Sequence, residues 1–469
     1  MSLLANRYAS EAMREIFAPE AKIIAERRLW IAVMRAQSSL GHAISDAVIT
    51  DYEQVITQVD LAAIDIREKQ TRHDVKARIE EFNALAGHEA IHAGMTSRDI
   101  TENIEALQFR NGLEVVHDKV VTLLARLGES ATQFSEQPIA GRSHNVPAQV
   151  TTLGKRFAST AEELLFAYQR LTALQDRYPM RGIKGPVGTA QDSIDLLGST
   201  SAHFKLESEI ARELGFDNVL DSTGQVYPRS FDYDVVTTLV QIAAAPSSLA
   251  TSIRLMAGAE LVTEGFKAGQ VGSSAMPHKM NSRSCERING LHAILKGHVT
   301  MASALAGDQW NEGDVSCSVV RRVVLPDAFF ALDGLLETTL VVLQQMEIYP
   351  AVVRREVERY LPFLLTTTFL MEAVKNGVGR ETAHELIKNH AVAAARGLRD
   401  GTLVENDLLK QLVGTPELKL SAARAAELLQ AGAEQTGAAT SQVRDITKRA
   451  EQWLAVEPEA EAYRPGEIL

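Results

Sequence analysis

Apolar residues recur every three or four positions along most of the chain. One such stripe consists of Leu113, Val116, Val120, Leu123, Leu124 and Leu127, and another consists of Leu164, Leu165, Tyr168 and Leu171. This spacing follows the turn of an α-helix and places each stripe on one helix face. The alternation at every second position that is typical of a half-buried strand is scarce. The pattern therefore predicts an all-α protein.

The helices predicted between about 234 and 346 are longer and are apolar around more of their circumference. Their apolar positions include Leu291, Ile294, Leu295, Val299, Ala302, Val319, Val320, Val323, Val324, Leu335, Leu336, Leu340 and Leu343. A helix with apolar residues on several sides is buried on several sides. We therefore expect a central bundle of long helices. Oligomerisation, by packing of this bundle on copies of itself, follows as a hypothesis.

Turn-forming residues divide the chain into parts. Gly87 and Gly94 bracket a short segment, residues 141–149 (GRSHNVPAQ) are predicted to form a polar loop, and Pro350 closes the longest helical block. The division that we predict is an N-terminal helical domain at 1–98, a central long-helix bundle at 99–350 and a C-terminal helical domain at 351–469.

Composition narrows the classes of partner and compartment. The chain has 469 residues, of which 45% are hydrophobic and 23% charged, as in ordinary soluble domains. A net charge of −12 disfavours nucleic acid and acidic membranes as partners, so an anionic substrate would need a local basic pocket. No apolar run approaches the ~20 residues of a membrane span, and the first residues lack the pattern of a signal peptide. With two cysteines in the chain, we expect a reduced, cytoplasmic protein.

The segment richest in potential chemistry is GSSAMPHKMNSRSCE, residues 272–286. Gly272 and Pro277 oppose regular structure, which leaves hydroxyl, ammonium and amide groups able to turn toward one small ligand. Such a set suits the removal of a proton from carbon, because cationic and amide donors hold the negative charge that appears on a neighbouring carboxylate. The same composition also describes an ordinary connecting loop.

A second segment contains HEAIH, a formal match to the HExxH motif of zinc proteases. That motif places His88, Glu89 and His92 on one face of a sustained helix. Gly87 and Gly94 leave too short a segment between them for such a helix, and no third ligand is evident. We therefore expect no metal site here.

His92, Thr96 and Ser97 suit a different role. Hydroxyl groups and backbone amides at the start of a helix near Asp99 can bind a carboxylate. A plain turn with a helix N-cap would use the same residues, so both interpretations stay open.

His144 lies between Ser143 and Asn145 in the segment predicted to be a loop. Histidine ordinarily titrates near neutral pH, so it would be the natural proton donor if it faced a site. Glu286 would be a suitable partner, because a carboxylate beside an imidazole favours the charged, proton-carrying form. A histidine in a polar loop is more often simply exposed.

A third group of polar residues lies in two further segments. Its members are Ser222, Gln225, Tyr227, Arg229, Ser316, Ser318, Arg321 and Arg322. Arginine at the start of a helix commonly binds phosphate or carboxylate groups, although it equally forms solvated surfaces.

Four motifs carry a resemblance to a known family. They are TRHDV (71–75), HAGMTSRD (92–99), GRSHNVPA (141–148) and GSSAMPHKMN (272–281). The last resembles the signature of the fumarase/aspartase superfamily, and the order and rough spacing of all four are similar to those of adenylosuccinate lyases. The resemblance runs from Arg7 to about residue 390. It implies a fumarase/aspartase-like fold.

The resemblance also implies an activity. Members of this family are carbon–nitrogen lyases (amidine-lyases) of AMP biosynthesis that work without a cofactor. They release fumarate from adenylosuccinate and from succinylaminoimidazole carboxamide ribotide by general acid/base catalysis, as homotetramers whose sites draw on three subunits. A non-catalytic superfamily scaffold and a lyase for another succinylated amine are the alternatives.

Roles for particular residues follow from the resemblance alone. Ser273 would remove the proton from the succinyl Cβ, and His144, supported by Glu286, would protonate the leaving nitrogen. Lys279 and Asn281 would hold the developing aci-carboxylate.

The substrate-binding residues are implied in the same way. Thr96, Ser97 and Gln225 would bind the succinyl group. The remaining implied contacts are His73 and His92, which would line the pocket, and Arg7, Tyr8, Arg72, Asp74, Ser318 and Arg322, which would meet the nucleotide and its phosphate.

Two positions depart from the family pattern. Gly313 stands where many relatives have an arginine, so one anion contact is either missing or supplied from elsewhere. Ser282 replaces a proline that commonly follows the asparagine, which should loosen the exit of the loop.

Overall fold

The computed structural model describes residues 2–265, 275–276, 278–455, 458 and 462–466. The prediction of an all-α fold is confirmed, because helices account for 69% of the structure. The N-terminal part consists of α1 (Leu3–Arg7), α2 (Glu11–Ile16), α3 (Pro19–Ser39), α4 (Asp46–Gln54), α5 (Leu61–Thr71) and α6 (Asp74–Ala86).

The middle of the chain forms a bundle of long helices. Its elements are α7 (Ser97–Gln133), β1 (Pro138–Ser143), β2 (Val146–Thr152), α8 (Leu153–Arg177), α9 (Gln191–Leu197), α10 (Thr200–Leu214), α11 (Ser230–Gly258), β3 (Val262–Thr263), α12 (Arg283–Leu305), α13 (Cys317–Gln345) and β4 (Glu347–Ile348). The two apolar stripes predicted on α7 and α8 are buried throughout, so they form the core as expected. The longest described helix is α7, with 37 residues.

Contacts between the long helices fix their directions. Glu105 and Lys119 on α7 pair with Arg321 and Asp333 on α13, so these two helices run in parallel. The ends of α11 and α13 also lie together, since β3 and β4 pair there. Arg254 near the end of α11 bonds to a residue near the start of α12, so α12 runs in the opposite direction.

The expected polar loop at 141–149 is wrong. Residues 138–152 form an antiparallel hairpin in which Ser143 pairs with Val146 across the turn. The two turn residues, His144 and Asn145, have φ angles of 51° and 61°. Such a pair of left-handed residues matches the right-handed twist of a hairpin, and it carries no glycine that would have signalled the turn.

The remaining helices follow the bundle. They are α14 (Pro350–Leu364), α15 (Thr366–Lys375), α16 (Arg380–Asp400), α17 (Leu408–Val413), a 3-10 turn (Pro416–Leu418), α18 (Ala422–Gly432) and α19 (Ala439–Leu454). A separate hydrophobic cluster joins α15 to α18, whereas α19 returns to pack on α7 and α8.

Among the described helices, α11 is the one to weigh as a possible membrane span. Residues 230–258 are long and apolar enough for one by length and composition. However, 61% of the relevant window is buried inside the protein, against α8, α12 and α13. A core helix of this kind passes the same test, so α11 is a packed helix of the bundle.

Candidate active site

Asp99, a fully buried carboxylate, fixes the N-terminus of α7. Its Oδ2 atom accepts a hydrogen bond from the Thr96 backbone N–H at 2.7 Å, as in a capping box. Its Oδ1 atom accepts hydrogen bonds from the Lys184 backbone N–H, at 2.9 Å, and from the Arg181 guanidinium, at 2.5 Å. The helix cap proposed as the plainer interpretation is therefore present at Thr96, while Ser97 beside it lines a cavity.

The cavity at the start of α7, which we call the α7 pocket, has a volume of about 340 Å³. It brings together six of the predicted site residues, namely His73, Asp74, Ser97, Gln225, Ser318 and Arg322. Its other lining residues are Lys22, Val75, Arg98, Thr101, Glu105, Val315 and Arg321. Among all the lining side chains in both lists, four are Lys or Arg and two are Asp or Glu, so their formal charge is four minus two, or +2. This pocket is locally basic in a chain whose net charge is −12.

Buried charges form one wall of the α7 pocket. Arg321 donates from Nε to Asp232 and from Nη1 to Glu105, each at 2.7 Å. The Tyr227 hydroxyl donates to the second oxygen of Asp232 at 2.6 Å. A buried charge is costly unless it is paired and hydrogen-bonded, so these contacts hold the wall in one arrangement.

Neighbouring cations keep the two acids of the α7 pocket ionised. Burial works to raise the pKa of Asp74, but nearby cations, foremost Arg78, outweigh it and hold that pKa below its ordinary value. Burial opposes ionisation of Glu105 as well, but Arg321 and Lys22 lower its pKa far below the ordinary value. The two carboxylates therefore neutralise part of the positive charge of the neighbouring side chains.

His92 is a neutral imidazole beside this region. The Trp30 indole N–H donates to its Nδ1 atom at 3.1 Å. Burial lowers the pKa of His92 to about 4, although Asp99 works in the opposite direction. A neutral ring that accepts at Nδ1 carries its proton on Nε2. Within one chain, this histidine lies outside the α7 pocket.

The HEAIH segment is not helical, and His92 within it has a φ of 68°. His88 is held through Nε2, which lies 2.7 Å from Asp51 Oδ2. Across the described part of the chain, no group of three or more His, Cys, Asp or Glu side chains is placed to hold a metal ion.

A larger cavity, which we call the loop pocket, lies where α11 ends and α12 begins. Its volume is about 940 Å³, and the predicted residues Lys279, Asn281 and Glu286 line it. The Glu286 carboxylate lies 3.9 Å from Arg254 of the same chain. Ser273, the predicted base, lies outside the described residues, together with the rest of segment 266–274.

A buried carboxylate anchors the exit of this loop. Both oxygens of Glu264 accept hydrogen bonds at 2.9 Å, one from the Ser284 backbone N–H and one from that of Cys285. An anion at this position also suits the positive end of the helix dipole. The start of α12 is therefore fixed even though Ser282 stands in place of the usual proline.

His144 projects from the tip of the β1–β2 hairpin and is exposed. It lines neither the α7 pocket nor the loop pocket. The hairpin itself is anchored to α14 by Arg142, which donates to Glu356 at 2.5 Å and to the Asn145 carbonyl oxygen at 3.1 Å. His144 is therefore exposed at the tip of a hairpin that is fixed to α14.

Three further predicted residues lie outside both pockets. The guanidinium groups of Arg7 and Arg287 lie 5.8 Å and 5.9 Å from the centroid of the Tyr8 ring. Arg72 ends α5 in a left-handed conformation, and its backbone N–H donates to the Glu68 carbonyl oxygen at 2.7 Å. One chain therefore does not gather all the predicted nucleotide contacts in one place.

The two pockets lie at opposite ends of the bundle. Gln225 in the α7 pocket precedes the start of α11, whereas Thr263 in the loop pocket follows its end. A helix of 29 residues is about 44 Å long. No single chain can therefore place residues of both pockets around one small ligand.

Sequence reasoning missed Arg98 and Lys22 in the α7 pocket. Arg98 stands inside the HAGMTSRD motif, directly after Ser97, and its position in the first turn of α7 was the available signal. Lys22 lies far away in sequence, on α3, and only the fold brings it to Glu105, at 3.2 Å.

The chain is similar to known lyases along most of its length. A family model described as "Lyase" matches residues 7–296, and one described as "Adenylosuccinate lyase C-terminus" matches residues 362–446. The chain is 34% identical to adenylosuccinate lyase from Schizosaccharomyces pombe, over 88% of this chain and 87% of that protein. It is also 34% identical to adenylosuccinate lyase from Saccharomyces cerevisiae, over 87% of this chain and 86% of that protein.

The fold of the chain is also similar to that of a protein of known structure. The crystal structure of fumarate lyase from Mesorhizobium sp. BNC1 matches with a TM-score of 0.81 and 22% identity. The match covers 94% of this chain and 98% of that one. The architecture is therefore fumarase/aspartase-like, as the loop motif implied.

Proposed function

This chain belongs to the adenylosuccinate lyase family of the fumarase/aspartase superfamily, and we propose how its two pockets and its hairpin carry out that family's reaction. The protein is a lyase of purine nucleotide biosynthesis that releases fumarate. Adenylosuccinate would yield AMP, and succinylaminoimidazole carboxamide ribotide would yield the corresponding amide. We propose the cytoplasm as its compartment.

The α7 pocket is the proposed site for the anionic nucleotide, and its charge is the observation that carries this assignment. The pocket has a formal charge of +2 in an acidic protein, and Ser318 and Arg322 point to phosphate recognition. Its volume of about 340 Å³ is near the lower limit for small-molecule sites, so it would hold only part of a succinylated nucleotide. The rest of the ligand would extend toward groups from other chains.

Catalysis would combine a hydroxyl base with an imidazole acid. Ser273 removes the proton from the succinyl Cβ, and the electron pair forms the double bond of fumarate as the C–N bond breaks. His144 donates a proton to the leaving nitrogen. Lys279 and Asn281 stabilise the charge that collects on the neighbouring carboxylate, and a nearby cation also favours the serine alkoxide.

Assembly from several subunits would bring these groups together. The α7 pocket and the loop pocket of one chain lie at opposite ends, and His144 lines neither, which supports sites built from neighbouring copies. Large apolar side chains on the bundle helices remain exposed in one chain, among them Leu255 at 52%, Val319 at 74% and Val323 at 49%. Such a surface marks an interface, and a homotetramer with shared sites is the assembly that we propose.

Replacement of the proposed base tests the mechanism. We expect Ser273→Ala to lower kcat by at least about 1,000-fold, because the variant lacks the hydroxyl that is proposed to accept the Cβ proton. Binding of adenylosuccinate should change little. Turnover is followed by ultraviolet absorbance, and Ser441→Ala, on the exposed side of α19, is the matched control.

Measurements on the variant, on the wild-type protein and on other substrates distinguish the alternative functions. Turnover that survives in Ser273→Ala would show that another group is the base. A correctly assembled wild-type protein that leaves adenylosuccinate unchanged would favour a non-catalytic scaffold. Fumarate release from a different succinylated amine, without activity on either purine, would identify a lyase of other specificity.

A further inference from the structure

Gly313 cannot be replaced by a residue with a side chain without disturbing the α7 pocket. Its φ is +114°, and a Cβ atom there would lie 2.3 Å from Val226 Cγ2. The carbonyl oxygen of the preceding Glu312 accepts a hydrogen bond from the Gln225 backbone N–H at 2.7 Å. The loop that carries Gly313 is thus packed tightly on the segment that carries Gln225. Any side chain at position 313 would be strained at this φ and would force Val226 to move.

An arginine from α7, Arg98, lines the same pocket. Arg98, in the first turn of α7, donates from Nη2 to the Ser318 hydroxyl oxygen at 3.0 Å. Its side chain is 13% exposed, and it lines the α7 pocket beside Ser97. A guanidinium that is largely withdrawn from water and faces a cavity binds anions more strongly than one on an open surface.

The acid nearest to Arg98 is already engaged. Glu102 lies 3.8 Å from Arg98, but its carboxylate also accepts hydrogen bonds from Arg229 and from the Tyr227 backbone N–H. The Glu102 carboxylate therefore balances more than one guanidinium. The charge of Arg98 is only partly neutralised, whereas Lys22 and Arg321 share Glu105 at shorter distances.

We propose that Arg98 binds the phosphate group of the nucleotide together with Ser318, a contact with an anion that Gly313, which has no side chain, cannot make. This role rests on the proposed function of the α7 pocket. The Ser318 hydroxyl accepts from Arg98 and can donate its own proton to a phosphate oxygen, so one ligand group would satisfy both side chains. Arg98 is thus a further phosphate contact beside those that the resemblance implied.

Phosphate fits this position better than the carboxylates of the succinyl group. The hydrogen-bond partner of Arg98 is Ser318, which belongs to the implied phosphate contacts, rather than Gln225 of the succinyl contacts. Arg322, on the next turn of α13 after Ser318, also lines the pocket. Two guanidinium groups and a hydroxyl that line one pocket supply the donors that a phosphate group needs.

Ligand binding to Arg98→Gln and Arg98→Lys tests this assignment directly. We expect Arg98→Gln to weaken binding of AMP by roughly 10- to 100-fold, the loss of one charge-assisted hydrogen bond, and to raise KM for adenylosuccinate similarly with kcat nearly unchanged. Arg98→Lys should recover part of the AMP affinity. Binding of adenosine and of fumarate, measured by calorimetry, should be unaffected because neither carries a phosphate. Arg35→Ala, which removes an exposed arginine outside the pocket, is the control for net charge.

The possible results are distinct. AMP affinity within twofold of wild type in Arg98→Gln would overturn the assignment. A loss confined to fumarate binding would also overturn it and would identify a carboxylate contact instead. If wild-type protein binds AMP but does not cleave adenylosuccinate, the proposed function fails while the AMP measurement still decides the role of Arg98.

Discussion

His92 shows how burial fixes the protonation state of one side chain in this protein. Its Nδ1 atom accepts the Trp30 indole N–H, and burial lowers its pKa to about 4. At neutral pH the ring therefore offers a hydrogen-bond donor at Nε2 and carries no charge. A neutral His92 carries no additional proton to donate, so the proposed mechanism does not use it as the acid.

The lowered pKa of His92 predicts a particular dependence of stability on pH. The unfolded chain takes up a proton on this residue near pH 6.5, whereas the folded chain takes it up only near pH 4. Stability should therefore fall as pH decreases between these values, by on the order of 2–3 kcal/mol, and should not change above them from this cause. His92→Gln keeps an acceptor for Trp30 and should flatten that part of the profile.

Urea unfolding between about pH 5 and pH 7 measures this effect. His384→Gln, which removes an exposed histidine on α16, is the control and should keep the wild-type slope. An unchanged pH profile in His92→Gln would mean that His92 titrates equally in the folded and unfolded chains.

At the level of residues, six of the predicted site residues lie together in the α7 pocket, whereas some of the charged residues beside them were not predicted. His73, Asp74, Ser97, Gln225, Ser318 and Arg322 come from four separate segments and do line one cavity. Lys22 was not predictable, because it reaches Glu105 only through the packing of α3 on α7. Asp99 could be predicted as a helix cap, but its contacts with the 181–185 segment depend on the fold.

Among the structural elements, the β1–β2 hairpin is the one that the sequence concealed. Its turn is formed by His144 and Asn145 in left-handed conformations, which non-glycine residues adopt at some cost. The strands contain Pro138 and Pro147, and proline favours a loop because it lacks the backbone N–H that a strand donates. The helices, by contrast, carry long stripes of apolar residues, and these made the all-α class predictable.

The C-terminal segment 463–466 forms a strap over a buried cluster of charges between α7 and α13. The Tyr463 hydroxyl donates to Glu337, and the Gly466 backbone N–H donates to the other oxygen of Glu337 at 2.8 Å. Lys119 lies 2.7 Å from Glu337 and also pairs with Asp333. A single buried lysine thus faces two carboxylates, and the strap supplies further donors to one of them.

Loss of the hydroxyl in Tyr463→Phe should therefore destabilise the protein. We expect the free energy of unfolding to fall by roughly 1.5–3 kcal/mol, the range for a hydrogen bond to a charged group. Urea unfolding provides the measurement, with Tyr233→Phe on the partly exposed side of α11 as the control. A change no larger than that of the control would show that Glu337 is satisfied without the strap.

On the scale of the whole molecule, the direction of the long helices determines where the chemistry can occur. The helices α7, α11 and α13 run in parallel, so the α7 pocket lies where they start and the loop pocket lies near the ends of α11 and α13. The limits of the three proposed domains, near 98 and 350, stay a prediction, and α19 packs back on α7 and α8 of the bundle.

The central claim is that each active site combines segments from different subunits. Mixing His144→Ala with Ser273→Ala tests it most directly, since each variant alone should be inactive. After the subunits are dissociated and reassembled together, some sites would take His144 from one variant and Ser273 from the other. Random mixing should restore about one quarter of the wild-type activity. Activity that stays at the level of the separate variants, while native mass spectrometry shows hybrid oligomers, would contradict the claim.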